Sequence, residues 1–168
     1  MSLSMYDASA PRFAHMLRNL DAILVKAQAH ATAKKIDPAV LLGARLFPDM
    51  LPMVKQVQIA TDHAKGAVAR LAGAEVPRYE DTEHGFDELR ARIAKTIAFV
   101  ESFSAAQFDG SEQRPIALRV GGKDWSFNGQ DYLLGFALPN FYFHLVTAYN
   151  ILRHNGVEIG KGDYLGNS

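Results

Sequence analysis

The chain has 168 residues, 48% of them apolar and 21% charged, with 18 basic side chains against 18 acidic and no cysteine. This length sustains one domain over residues 1–168 with its own core, and the composition excludes disorder. Zero net charge gives no excess positive potential for non-specific binding to nucleic acid or anionic lipid. The missing thiols exclude disulfides, thiolate zinc sites, iron–sulfur clusters and cysteine nucleophiles.

From the first residues on, helical periodicity dominates. The opening Met1-Ser2-Leu3-Ser4-Met5-Tyr6-Asp7 lacks the basic and apolar regions of a signal peptide. No apolar run approaches the roughly 18–20 residues that span a bilayer. The cytoplasm is the expected location, with no membrane and no nucleic-acid partner. Phe13, Met16, Leu17, Leu20, Leu24 and Ala27 recur at steps of three and four, which predicts a first helix ending near Lys34. Asp37-Pro38 reads as an N-cap followed by proline at the first helical position of a short turn. Asp49 and Pro52 open a second long helix, with Val54, Val57, Thr61, Ala64, Val68 and Leu71 inward and Gly73 as its stop. A third helix is expected from near Thr82 to near Ser102, with Phe86, Leu89, Ile93, Ile97 and Val100 inward. Glu83, Asp87 and Glu88 lie near its positive end, and Glu88 is placed to pair with Arg92 on a solvated face.

Between helices three and four the period changes to two. Ile116, Leu118 and Val120 alternate with polar residues, Gly121-Gly122 turns the chain, and Trp125 and Phe127 alternate again. This predicts a β-hairpin at about 115–127. The fourth helix follows Asn128-Gly129 and closes at Asn155-Gly156. Pro139 lies inside it and should free the carbonyl of Gly135, bending or loosening the helix there. The tail is expected to pack back through Tyr164 and Leu165. The fold class is therefore all-α: a four-helix bundle with a small hairpin inserted before its last helix.

The fourth helix carries the candidate site. Asn140 and His144 are four residues apart, on one face, in a row that otherwise reads Phe136, Phe143, Thr147 and Ile151. Polar groups in such a row need partners. On the second helix Gln58 flanks the apolar stripe and Asp62 sits one turn further on. His63 points away from the stripe's centre, and helical neighbours such as Asp62 and His63 diverge. A hydrogen-bond network that merely fixes helix register is one reading, a ligand pocket another. No phosphate loop, Gly-x-Ser-x-Gly or His-Glu-x-x-His motif is present.

The run PNFYFHLVTAYNILRHNG, together with DHAKGAVARLAG and ARLFPDMLP, resembles an uncharacterised bacterial family of domains of unknown function related to the DinB/YfiT-like proteins. The resemblance spans essentially the whole chain. It implies a four-helix bundle, often a homodimer, with metal-dependent thiol S-transferases among its relatives. Those relatives hold a divalent metal through one histidine on helix two and a His-x-x-x-His pair on helix four. Matching the ending LRHNG places His144 at the second histidine of that pair, Asn140 at the first, and Gln58 at the helix-two histidine, with His63 five residues further along. One of three ligands is then retained, and amides are weak ligands for zinc or nickel.

Three functions follow from this reading. The first is a small-molecule-binding bundle with Gln58, Asn140 and His144 in its pocket, joined by hydrogen bonds, and no cofactor. The second is a metal-dependent transferase or hydrolase using zinc or nickel, with His144 and either His63 or Gln58 and Asn140 as ligands. The third is a structural or interaction protein.

Overall fold

The computed structural model is described over residues 3–167. In chain order its elements are α1 Met5–Ala8, α2 Ala10–Lys34, α3 Pro38–Gly43, α4 Met53–Ala72, α5 Phe86–Glu101, β1 Ile116–Val120, β2 Lys123–Phe127, α6 Gly129–Tyr132, α7 Leu138–His154 and α8 Lys161–Leu165. The four long helices α2, α4, α5 and α7 form the bundle; α4 packs on both α5 and α7, and α2 on α5. The expected stripes are its core. Phe13, Leu17, Leu20, Leu24, Val57, Ala64, Val68, Leu89 and Ile93 are all fully buried, each large side chain contributing about 1.5–3 kcal/mol of burial. Phe13 and Phe141 meet edge to face at 4.9 Å, joining α2 to α7.

Local chemistry sets the helix ends. Asp37 accepts from the Ala39 amide at 2.9 Å, capping α3 with Pro38 at its first position. Gly73, at φ 71°, ends α4 in the left-handed conformation that a side chain would resist. Asp49 does not cap α4; it lies in the turn before Pro52, which occupies the N-cap position. The third long helix begins at Phe86, four residues later than the sequence suggests. The segment before it runs extended because Glu83 is drawn inward to Gln58 and Arg92.

The hairpin matches its expected place. Ile116 pairs with Phe127 and Leu118 with Trp125. Gly121 and Gly122 turn the chain at φ 58° and 77°, the positive angles that a two-residue turn of this hand needs. The tail docks on α2: Asn19 donates to the Tyr164 carbonyl at 3.0 Å, and Tyr149 meets Tyr164 edge to face.

At Pro139 the helix widens. Leu133–Ala137 form a π turn, closed by the Leu138 amide donating to the Leu133 carbonyl. Proline has no amide hydrogen to give, and a wider turn before it absorbs the break without ending the helix.

Candidate functional site

Helix α4 has no solvated side along most of its length. Gln56, Val57, Gln58, Ala60, Thr61, Ala64, Lys65, Gly66, Ala67, Val68 and Ala69 are all buried. The small residues allow neighbours to approach on two sides. One side faces α5 and presents Gln58, Thr61, Asp62 and Lys65. The other faces α7 and the hairpin and presents Gln56, Ile59, His63, Gly66 and Arg70, at steps of three and four.

Between that second face, β1 and α7 lies a cavity of about 620 Å³. His63, Arg70, Tyr132, Phe136, Asn140 and His144 line it, with Leu118 and Arg119 of β1 along one wall. Phe136 is the aromatic centre: its ring lies 5.9 Å from His63, 5.9 Å from Tyr132, 5.6 Å from Phe127 and 6.3 Å from Trp125. Trp125 and Phe127 thus pack the hairpin onto Phe136, while β1 itself walls the cavity.

The structure brings together three of the four candidate residues. His63 and His144 stack ring on ring, 5.8 Å apart and 16° from parallel. Asn140 lines the same cavity and donates its amide to the Phe136 carbonyl at 2.7 Å, leaving its oxygen for another partner. Asn140 and His144 are half-buried at the cavity's edge, because the buried centre of α7 is Phe141, Leu145, Ala148 and Leu152. Gln58 is not in this group. It faces α5 and donates to Glu83 at 2.7 Å. Ile59, on the same face of α4 as His63, lines the cavity.

The side chain that does reach His144 is Gln56. Its amide nitrogen donates to the Leu51 carbonyl at 2.9 Å, which fixes its oxygen toward His144 Nδ1 at 2.7 Å. An amide oxygen only accepts, so Nδ1 of His144 carries the proton and Nε2 keeps its lone pair. Burial lowers the pKa of His144. Burial and the neighbouring His144 hold His63 down to about 4, against the opposing pull of Asp62. Both imidazoles are therefore neutral at pH 7.

Arg92 corrects the expectation of a solvated face on α5. Its side chain is 2% exposed, and its guanidinium meets Asp62 at 2.9 Å, Asp81 at 3.1 Å and Glu83 at 3.1 Å, with Thr61 accepting at 2.8 Å. Asp62 also accepts from Lys65 at 2.8 Å, so this carboxylate is occupied by two cations although it lines the cavity. A groove of about 650 Å³ on the α5 side is walled by Arg92 and Glu83 together with Arg78, Glu80, Glu88 and Lys95, so that its cations and carboxylates balance.

A zinc site takes at least three good protein donors. The cavity offers Nε2 of His144, the ring of His63 and the amide oxygen of Asn140: two imidazoles and a weak ligand. Among the described residues no three His, Asp or Glu side chains are grouped so as to hold a metal ion. These residues do not fit the three-imidazole metal set that the family resemblance implies.

Two comparisons agree with this architecture. The chain belongs to the family described as Domain of unknown function (DUF1993), whose model matches residues 5–165. It is similar to a DinB family member protein from Shewanella denitrificans, solved by crystallography. The two share 47% identity and a TM-score of 0.90 over 96% of this chain and 92% of that one. No curated protein matches it. Among the described residues, no helix is long and apolar enough to cross a membrane.

Proposed function

We propose that this member of the DUF1993 family is a cytoplasmic protein that binds a small molecule between α4, α7 and the hairpin, without a metal. The observation that supports it is the cavity of about 620 Å³, of the size drug-like ligands occupy. Its walls are mainly apolar and aromatic. Its polar groups converge: two neutral imidazoles and an amide oxygen, one imidazole held in a single tautomer by Gln56 and Leu51. That arrangement suits a ligand that donates hydrogen bonds to Nε2 of His144 and Oδ1 of Asn140. Thermal unfolding against a library of polar metabolites tests it, because a native-state ligand raises the melting temperature by mass action. A library in which no compound shifts the transition would refute binding.

The alternative, a metal-dependent transferase or hydrolase, draws on the family's relatives and on the stacked pair of His63 and His144. Elemental analysis of protein purified without a metal-binding tag separates the two. We expect well below one equivalent of zinc or nickel; stoichiometric metal, lost on His144→Ala, would favour the enzyme.

A homodimer is part of the same reading. Phe143 on the outside of α7 is 57% exposed and Leu134 in the π turn before it 53%, both large apolar groups. Sedimentation equilibrium at tens of micromolar, yielding only the monomer mass, would count against it.

A further inference from the structure

Resting on the small-molecule reading above, a second set of residues in the same cavity identifies the ligand's charge. Gly66 sits in the middle of α4, where glycine costs about 1 kcal/mol relative to alanine. No positive φ or turn requires it there. What its missing side chain does is make room: a Cβ on Gly66 would stand 2.5 Å from Nη1 of Arg70, one turn on. The guanidinium of Arg70 thus lies back over the glycine, with Nη1 donating to the Tyr132 hydroxyl at 3.1 Å. It is half-buried, and among the described residues it meets no carboxylate.

A partly desolvated arginine that spends one N–H on a hydroxyl and none on a carboxylate is a receptor for a planar or tetrahedral oxyanion. The surrounding charge agrees. Arg119 lines the same cavity with a 74% exposed side chain and only a loose 3.9 Å approach to Asp124. The cavity's carboxylate, Asp62, is held by Arg92 and Lys65.

We propose that the cavity takes an organic anion, its carboxylate or phosphate seated on Arg70 and the Tyr132 hydroxyl, its body against Phe136 and Leu118. Because the guanidinium of Arg70 folds back over Gly66, it stands at a level three residues from His63, about 4.5 Å along the helix axis. An anion on Arg70 therefore lies close to the imidazoles of His63 and His144, and one small ligand can meet both its charge and their hydrogen-bond acceptors.

The test uses 3-phenylpropionate, phenyl phosphate and the neutral 3-phenylpropionamide as probes, titrated into the full chain and followed by ¹H–¹⁵N shifts of cavity residues. The anions should bind at least tenfold more tightly than the amide, and Arg70→Met should remove that difference by weakening the anions far more than the amide. The better of the two anions tells carboxylate from phosphate. Gly66→Ala should leave the melting temperature equal or higher, yet weaken the anions, because the new methyl displaces the guanidinium. Amide and anions binding alike, or anion affinity unchanged in Arg70→Met, would overturn the anion assignment and leave the small-molecule reading standing. No probe shifting any cavity resonance in the wild type would count against both.

Discussion

Oε1 of Gln56 stands 2.7 Å from Nδ1 of His144, and the same amide is anchored to the Leu51 carbonyl at 2.9 Å. The relay runs from backbone to amide to imidazole and ends on an unprotonated Nε2. Long-range ¹H–¹⁵N spectra at pH 7.5 should accordingly show His144 protonated on Nδ1. Gln56→Glu should raise its pKa, because a carboxylate stabilises the imidazolium. Finding the Nε2–H tautomer in the wild type would break the relay.

Truncating the imidazole tests the same contact energetically. His144→Ala leaves the oxygen of buried Gln56 without its donor, so urea unfolding should show a loss of about 1–3 kcal/mol. Metal content should not change. The double variant with Gln56→Leu should recover part of the loss, since removing both partners is cheaper than removing one.

Stability should fall with acid before any carboxylate titrates strongly. The pKa of His63 is lowered from 6.5 to about 4 by burial and by His144. A histidine whose folded pKa lies below its unfolded value binds its proton more readily in the unfolded chain. Its contribution is therefore complete above pH 6.5 and is lost as the pH falls toward 4, on the order of 3 kcal/mol in all. Chemical denaturation at half-unit pH intervals measures this. His63→Gln should flatten the slope over that window, and an unchanged slope would place the proton uptake elsewhere.

Arg92 should be the costliest charge to remove. Its guanidinium is buried among Asp62, Asp81 and Glu83. Arg92→Ala leaves three carboxylates facing one another, and a loss of about 3–5 kcal/mol is expected in denaturant. A loss below about 1 kcal/mol would mean that the cluster reorganises around Lys65 and around Lys55, which meets Asp81 at 2.9 Å.

Gly129 joins the hairpin to the last helix under a backbone constraint. A Cβ there would lie 1.8 Å from the Ser111 carbonyl oxygen, a contact no side-chain rotation relieves. Gly129→Ala should destabilise by at least the 1–3 kcal/mol of ordinary overpacking. Gly135→Ala, where nothing lies within 4 Å, should be nearly neutral. Equal effects in calorimetry would refute the distinction.

Helices α2 and α5 could be read from one stripe each because each buries one face and solvates the other. Helix α4 could not. It is the central helix, and Val57, Thr61, Ala64, Val68 and Leu71 describe only one of its buried sides. The site lies on another, through Gln56, Ile59, His63, Gly66 and Arg70. Gln56 and Gln58 are two residues apart, about 200° around the axis, so the amide that meets His144 on α7 and the one that meets Glu83 on the α5 side cannot share a face. The sequence did hold a signal, in the density of small residues (Ala60, Ala64, Gly66, Ala67 and Ala69) on a helix too closely approached to have a wet side. Burial of Arg92 escapes the helical pattern for a related reason: its partners Asp81 and Glu83 arrive from the segment before α5, which no helical period reveals.

The π turn at Leu133–Ala137 has a consequence for how this chain tolerates changes of length. A turn closed five residues back instead of four holds one residue more than an α-helix needs. Had the same residues run on as regular α-helix, Tyr132 would point about 100° away from its present direction relative to His144, and the two side chains would no longer line one cavity. The surplus residue sets the angular phase between them. A one-residue deletion between 133 and 137 is thus the indel this helix can absorb, because it trades the wide turn for a regular one and leaves the phase nearly intact. The same deletion a few residues later, between 145 and 149, has no slack to consume and would swing His144 and the hairpin off the face of α4.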